Sequence, residues 1–112
     1  MQELVTLKLN KEFRRAYFQG KYKAHPLLVT YRVKNRAGVP RYGITTSKKI
    51  GCAVKRNRAR RVIRQAYAAL LREGVFPGGF DYVFVARPKT PAVKMDEVKE
   101  VMQKQSRALQ KC

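Results

Sequence analysis

The sequence predicts an α+β fold: three helices on one sheet of about four strands, in the order α-β-β-(β)-α-β-α. Three observations carry that expectation. Leu27–Val33 and Phe80–Ala86 concentrate β-branched and aromatic residues over strand-like lengths. Between them, helical periodicity runs from Ala59 to Leu71. Finally, 112 residues with 45% hydrophobic content suit one core and leave little length for a second, so residues 1–112 are expected to form one domain.

Each element has a local reason. Asn10 is the expected N-cap of the first helix, in which Phe13, Ala16 and Tyr17 share a face, and Gly20 is its stop. Pro26 precedes the strand Leu27–Val33, and Asn35-Arg36-Ala37-Gly38 after it is turn chemistry. Arg41–Thr46 is expected to pair antiparallel with that strand as a hairpin across the Asn35–Pro40 link. A short strand over Gly51–Val54 is the bracketed one. In the second helix Ala59, Val62, Ile63, Ala66, Leu70 and Leu71 make a buried stripe up to Glu73-Gly74. At 100° per residue, Asn57, Arg60, Arg61 and Arg64 share a sector roughly opposite that stripe. Arg56 falls nearer the apolar side and is assigned to the opening turn, where the helix N-terminus also favours phosphate. Phe80–Ala86 is apolar on both faces, as a central strand is, and Arg87-Pro88 ends it. Thr90-Pro91 are the expected N-cap and first residue of the last helix, with Met95, Val98, Val101 or Met102, and Leu109 on its inner side.

The charge narrows the partner. The formal net charge is +19, and the sixty residues from Phe13 to Arg72 hold 17 of the 26 Lys and Arg without one carboxylate. Such a field draws phosphate backbones and couples their binding to counterion release, so nucleic acid is the expected partner class and a neutral or cationic one is disfavoured. The N-terminus lacks a secretory apolar core and no run approaches the ~18 residues of a membrane span, which predicts a cytoplasmic protein without a membrane partner. The basic helix lacks the broad apolar face of a lipid-binding one. Cys52 and Cys112 stand far apart with no CxxC or Cys/His pairing, so neither zinc nor a disulfide framework is indicated. His25 reads as a surface loop residue.

Ser47-Lys48-Lys49-Ile50-Gly51, then Arg56-Asn57-Arg58, then Arg60-Arg61 and Arg64 follow in fixed order, between an aromatic helix and a strand ending Ala86-Arg87-Pro88. In this the chain resembles the protein subunit of bacterial ribonuclease P over nearly its whole length. The resemblance implies a left-handed crossover in the sheet. It implies association with the catalytic ribonuclease P RNA, which removes the 5′ leader of precursor tRNA using Mg2+; no protein ligand for the metal is assigned, and no small-molecule substrate is expected. It further implies that Lys48, Lys49, Arg56, Asn57, Arg58, Arg60, Arg61 and Arg64 contact the catalytic RNA and that Phe13, Tyr17 and Tyr31 line a cleft for the leader. Tyr17 stands where the family often has phenylalanine, keeping the ring and adding a hydroxyl. Thr45 and Thr46, where a more apolar segment is usual, are expected along the groove.

These residue types suit those tasks. Aromatic rings stack on unpaired bases for ~1–3 kcal/mol each without reading sequence. Arginine offers a planar fork that grips two phosphate oxygens at once, which lysine cannot. Other roles stay open at this level: Phe13, Tyr17 and Tyr31 as core, and Asn57 as a helix cap. A protein-only nuclease is disfavoured, because two-metal hydrolysis needs carboxylates converging on ions about 3.5–4 Å apart. Of seven acids, only Asp96, Glu97 and Glu100 cluster, among lysines as in solvated helix pairs. The alternative function is a ribosomal or other structured-RNA binding protein without a catalytic complex. A helix-turn-helix DNA binder would need a helix just before the arginine helix, where Gly51 and strand-like residues stand.

Overall fold

A computed structural model describes residues 4–110. In chain order the elements are β1 (Val5–Thr6), α1 (Asn10–Gln19), β2 (Lys21–His25), β3 (Leu28–Lys34), β4 (Arg41–Thr45), α2 (Ala53–Arg72), β5 (Phe80–Ala86) and α3 (Met95–Gln110). The strands form one five-stranded sheet in the order β1-β4-β5-β3-β2. β1, β4 and β5 run parallel, while β3 is antiparallel to both β5 and β2.

The α+β class, the three helices and the bounds of β5 are those expected from the sequence; the pairing is not. Leu28–Lys34 and Arg41–Thr45 form no hairpin, because β5 inserts between them and pairs with both. Five of the seven residues of β5 are buried, which a strand achieves only with neighbours on both edges and layers on both faces. The turn that was to close the hairpin is held by β5 instead. The Asn35 N–H donates to the Gly79 carbonyl at 2.8 Å, and Asn35 Nδ2 donates to Asp81 Oδ1 at 2.7 Å. β4 then reaches β5 through α2, the crossover that two parallel neighbours require.

Four local expectations also change. The segment assigned to a strand at Gly51–Val54 is the approach to α2, following a single 3₁₀ turn at Lys48–Ile50. β2 was not foreseen, since Lys-Tyr-Lys-Ala-His lacks apolar alternation; all its residues are exposed, and its lysines suit an open sheet edge. Asn10 begins α1 but does not cap it. The cap position is Leu9, and Glu12 Oε1 accepts the N–H groups of Leu9 and Lys8 at 3.0 and 3.1 Å. Nor does Thr90 cap α3, which starts at Met95. The Thr90 hydroxyl accepts from the Arg87 N–H and donates to the Leu27 carbonyl, tying the exit of β5 to the entrance of β3.

One face of the sheet packs on α2 and α3. The whole predicted stripe of α2 is buried there, together with Tyr67, whose ring centroid lies 4.6 Å from Tyr42, 4.8 Å from Phe76 and 5.5 Å from Phe84. Aromatic pairs at such spacing add about 0.5–1.5 kcal/mol each beyond their burial. α2 stops where predicted: Gly74 takes φ +77°, which a side chain would resist, and the Val75 N–H returns to the Leu70 carbonyl. α3 is fastened by a buried amide. Gln105 Oε1 accepts from the Thr30 hydroxyl at 2.6 Å while its Nε2 donates to the carbonyls of Leu28 and Lys23.

The other face carries α1 alone, over a smaller cluster of Leu7, Ala16, Val33 and Val83. What holds α1 there is ionic. Asp81, fully buried on β5, accepts from Arg15 Nη2 at 3.0 Å, from Arg41 Nε at 2.7 Å and Nη2 at 2.9 Å, and from Asn35. Arg41 Nη1 reaches Glu12 Oε2 at 3.0 Å, closing the network back onto α1.

Two predictions follow from this clamp. Asp81→Ala leaves Arg15 and Arg41 facing each other without their counter-charge, and denaturant unfolding should show a loss of about 3–5 kcal/mol. The backbone N–H of Leu9, with lesser help from Lys8 and Arg41, holds the Glu12 carboxyl below its ordinary pKa. A depressed carboxylate stabilises the fold above its unfolded pKa and loses that contribution as pH falls through the folded one. Melting temperature should therefore drop on acidification below the ordinary carboxylate range, and Glu12→Gln should flatten that dependence.

Candidate nucleic-acid interface

The interface is built on α2 and on the open part of the α1 face. Burial of the apolar stripe leaves Asn57, Arg58, Arg60, Arg61 and Arg64 exposed and Arg56 half-buried in the first turn, its N–H on the Cys52 carbonyl. Lys48 and Lys49 stand exposed on the 3₁₀ turn just before the helix. That turn is too short to be the first helix of a helix-turn-helix. The cap position of α2 is Cys52, where the first-turn N–H groups, that of Lys55 foremost, hold the thiol below its ordinary pKa. The same electropositive helix start favours a phosphate.

The basic residues are not equivalent. Arg58 Nε donates to the Pro91 carbonyl at 2.6 Å, so one of its five N–H donors ties α2 to the turn before α3. Asn57 lies inside the helix rather than at its cap, with Oδ1 at 3.5 Å from Arg60 Nη1. Arg60 and Arg64 lean over the β4 edge, where with Phe13, Tyr42, Gly43 and Ile44 they line a recess. A second recess shares Phe13, Ile44 and Arg60 and continues along Asn10, Tyr17, Thr45 and Thr46. The two make one groove between α1 and the β4 edge, walled by rings on one side and arginine on the other. Among the described residues neither Arg60 nor Arg64 has an ion-pair partner.

Of the three aromatic candidates, Phe13 and Tyr17 line the groove, while Tyr31 lines neither recess and packs beside Tyr17. All three are half-buried against the Val33 and Val83 cluster, so each is part core and part surface. Strand parity sends Tyr31 to the α1 side with Val29 and Val33. Its ring meets Tyr17 edge-on at 5.0 Å, and the Tyr17 hydroxyl is hydrogen-bonded to the Thr45 hydroxyl. Phe13 lies flat on β4 because residue 43 is glycine: a Cβ there would come within 2.5 Å of Phe13 Cζ.

Sequence reasoning missed two participants. Tyr22 of β2 stacks on Tyr31 at 5.3 Å and belongs to the same aromatic row; its place between two lysines was the available signal. Asp81 had none, since a lone acid in an apolar strand does not announce which arginines it meets. Of the acids of α3, Glu100 makes the expected pair one turn on, with Lys104 at 3.2 Å, while Lys99 pairs with Glu73 instead. Among the described residues no helix is long and apolar enough to cross a membrane.

Comparison with known proteins agrees along the chain. The family model described as Ribonuclease P matches residues 1–111. A ribonuclease P protein component from Pelotomaculum thermopropionicum is 42% identical over 100 residues, covering 89% of this chain and 88% of that protein. One from Clostridioides difficile is 46% identical over 81 residues, covering 72% and 70%. Among solved structures, the RNase P protein of Staphylococcus aureus superposes with a TM-score of 0.80 at 25% identity, covering 95% of each chain. That of Thermotoga maritima gives 0.77 at 29%, covering 95% and 97%. The chain therefore belongs to the ribonuclease P protein family, the protein subunits that join a ribonuclease P RNA in the endoribonuclease that matures the 5′ ends of tRNA.

Proposed function

We propose that the exposed basic side of α2, with Lys48, Lys49, Arg56, Asn57, Arg58, Arg60, Arg61 and Arg64, binds the ribonuclease P RNA, and that the groove of Phe13, Tyr17 and Tyr31 takes the single-stranded 5′ leader of precursor tRNA. The whole chain acts as one RNA-binding domain in the cytoplasm. The observation that supports this most is the convergence of Phe13 and Tyr17 with Arg60 in one groove, because a leader of variable sequence needs stacking surfaces and phosphate charge rather than base-edge readout.

The chain contributes binding and orientation, and the bond cleavage belongs to the RNA. Magnesium, which would supply the charge and the activated water for phosphodiester hydrolysis when bound to the RNA, finds no fitting ligand set among the described residues. Among the described residues no group of three or more His, Cys, Asp or Glu converges, and Glu12 and Asp81 are taken by Arg41 and Arg15. No step is assigned to a metal held by this protein. Instead its cations screen the phosphates that magnesium would otherwise neutralise, which lowers the magnesium needed for assembly and substrate binding.

Cleavage of a 5′-extended precursor tRNA by a bacterial ribonuclease P RNA at low magnesium, with and without the protein, tests the assignment. Strong stimulation at the mature 5′ end is expected. Tight RNA binding with no change in rate or magnesium requirement would point to a structured-RNA binder without a catalytic role. Variants separate the two surfaces. Arg61→Ala should weaken association with the ribonuclease P RNA and reduce the salt slope by about 0.7–0.9 for the lost phosphate contact. Tyr17→Ala should weaken leader-bearing precursor by ~1–3 kcal/mol and spare mature tRNA.

A further inference from the structure

We infer that Tyr22, rather than Tyr31, presents the free ring face on which the outermost base of the groove-bound strand stacks, with Tyr31 as the support beneath it. The inference rests on reading the groove as the leader site, and it assigns a binding role to a residue outside that groove's own walls. Tyr22 and Tyr31 are direct cross-strand partners in the β2–β3 pairing. Their ring centroids are 5.3 Å apart with planes only 29° from parallel. On another side Tyr31 meets Tyr17 at 5.0 Å and 78°, so it has a ring neighbour in two directions and little open face left. Tyr22 is 58% exposed, and among the described residues Tyr31 is its only ring contact.

A stacked pair offers a base only its outer surface, and here that surface belongs to Tyr22. The support also matters for binding. A lone exposed tyrosine must be immobilised when a base lands on it, whereas a ring already stacked on a half-buried neighbour has surrendered part of that freedom. The exposed lysines that flank Tyr22 in the strand, Lys21 and Lys23, add positive charge at this sheet edge. The row Tyr17, Tyr31, Tyr22 thereby carries the stacking surface from α1 across β3 to the sheet edge, and lengthens the strand the protein can hold.

The test uses the full chain assembled with a bacterial ribonuclease P RNA and measures affinity for precursor tRNA with a long leader, with a short leader that ends inside the groove, and with none. Tyr22→Ala should weaken only the long-leader substrate, by about tenfold, and Tyr22→Phe should keep wild-type affinity. Tyr22→Leu, which still covers Tyr31 but lacks a flat face, should lose affinity like Tyr22→Ala and guards against a folding defect in the smaller variant. Unchanged or tighter long-leader binding by Tyr22→Ala and Tyr22→Leu would overturn the inference and make Tyr22 a cover over Tyr31. Tyr17→Ala is the control for the underlying reading: if it too leaves leader affinity unchanged, the groove itself is not the leader site, whereas its loss alongside a silent Tyr22→Ala defeats the Tyr22 assignment alone.

Discussion

The placement of α1 depends on one buried carboxylate. Asp81 binds Arg15 from α1, Arg41 from β4 and Asn35 from the turn after β3, and Arg41 extends the set to Glu12 on α1. The apolar cluster under α1 is small, with four buried residues in it, so burial alone would fix the position of this helix weakly. A buried charge is costly unless fully paired, and that cost is what makes this arrangement specific: sliding α1 along the sheet would leave Asp81 with unmatched lone pairs. The groove between α1 and the β4 edge inherits its width from this clamp.

The same network sorts the charges. The acid-free run from Phe13 to Arg72 is flanked by Glu12 and Glu73, and Glu12 and Asp81 turn inward to neutralise arginines that anchor the fold. Glu73 is paired with Lys99 between α2 and α3. Anchoring arginines thus separate from unpaired ones, with Arg58 between the two groups. Arg15, Arg41 and in part Arg58 hold elements together, while among the described residues Arg60, Arg61 and Arg64 meet no carboxylate. Composition alone makes these six residues look alike.

The half-buried aromatics resolve a choice that sequence periodicity left open. Phe13, Tyr17 and Tyr31 are neither wholly core nor wholly surface. Phe13 and Tyr17 form the rim of a thin layer that α1 only partly covers, each held on one side by packing and open to the groove on the other, while Tyr31 is flanked by the rings of Tyr17 and Tyr22. A stacking platform needs that combination, because a ring that is ordered before binding loses less freedom when a base arrives.

By itself the sequence determined what depends on neighbours a few residues apart. It specified the buried stripe of α2 and the arginines opposite it, the stop at Gly74, the bounds of β5, and the partner class through the charge. Family-specific order in the Ser47–Arg64 segment pointed to the RNA. Only the tertiary structure decided what depends on competition between distant segments. β5 took the centre and displaced the hairpin of β3 and β4, since two apolar faces outweigh a short connecting loop. Thr90 left its capping role for a link to Leu27, and Lys21–His25 became a strand because β3 had an open edge to fill. Local periodicity is written in adjacent residues, but strand order, the Asp81 clamp and the stacking of Tyr22 on Tyr31 are outcomes of burial and pairing across the whole chain.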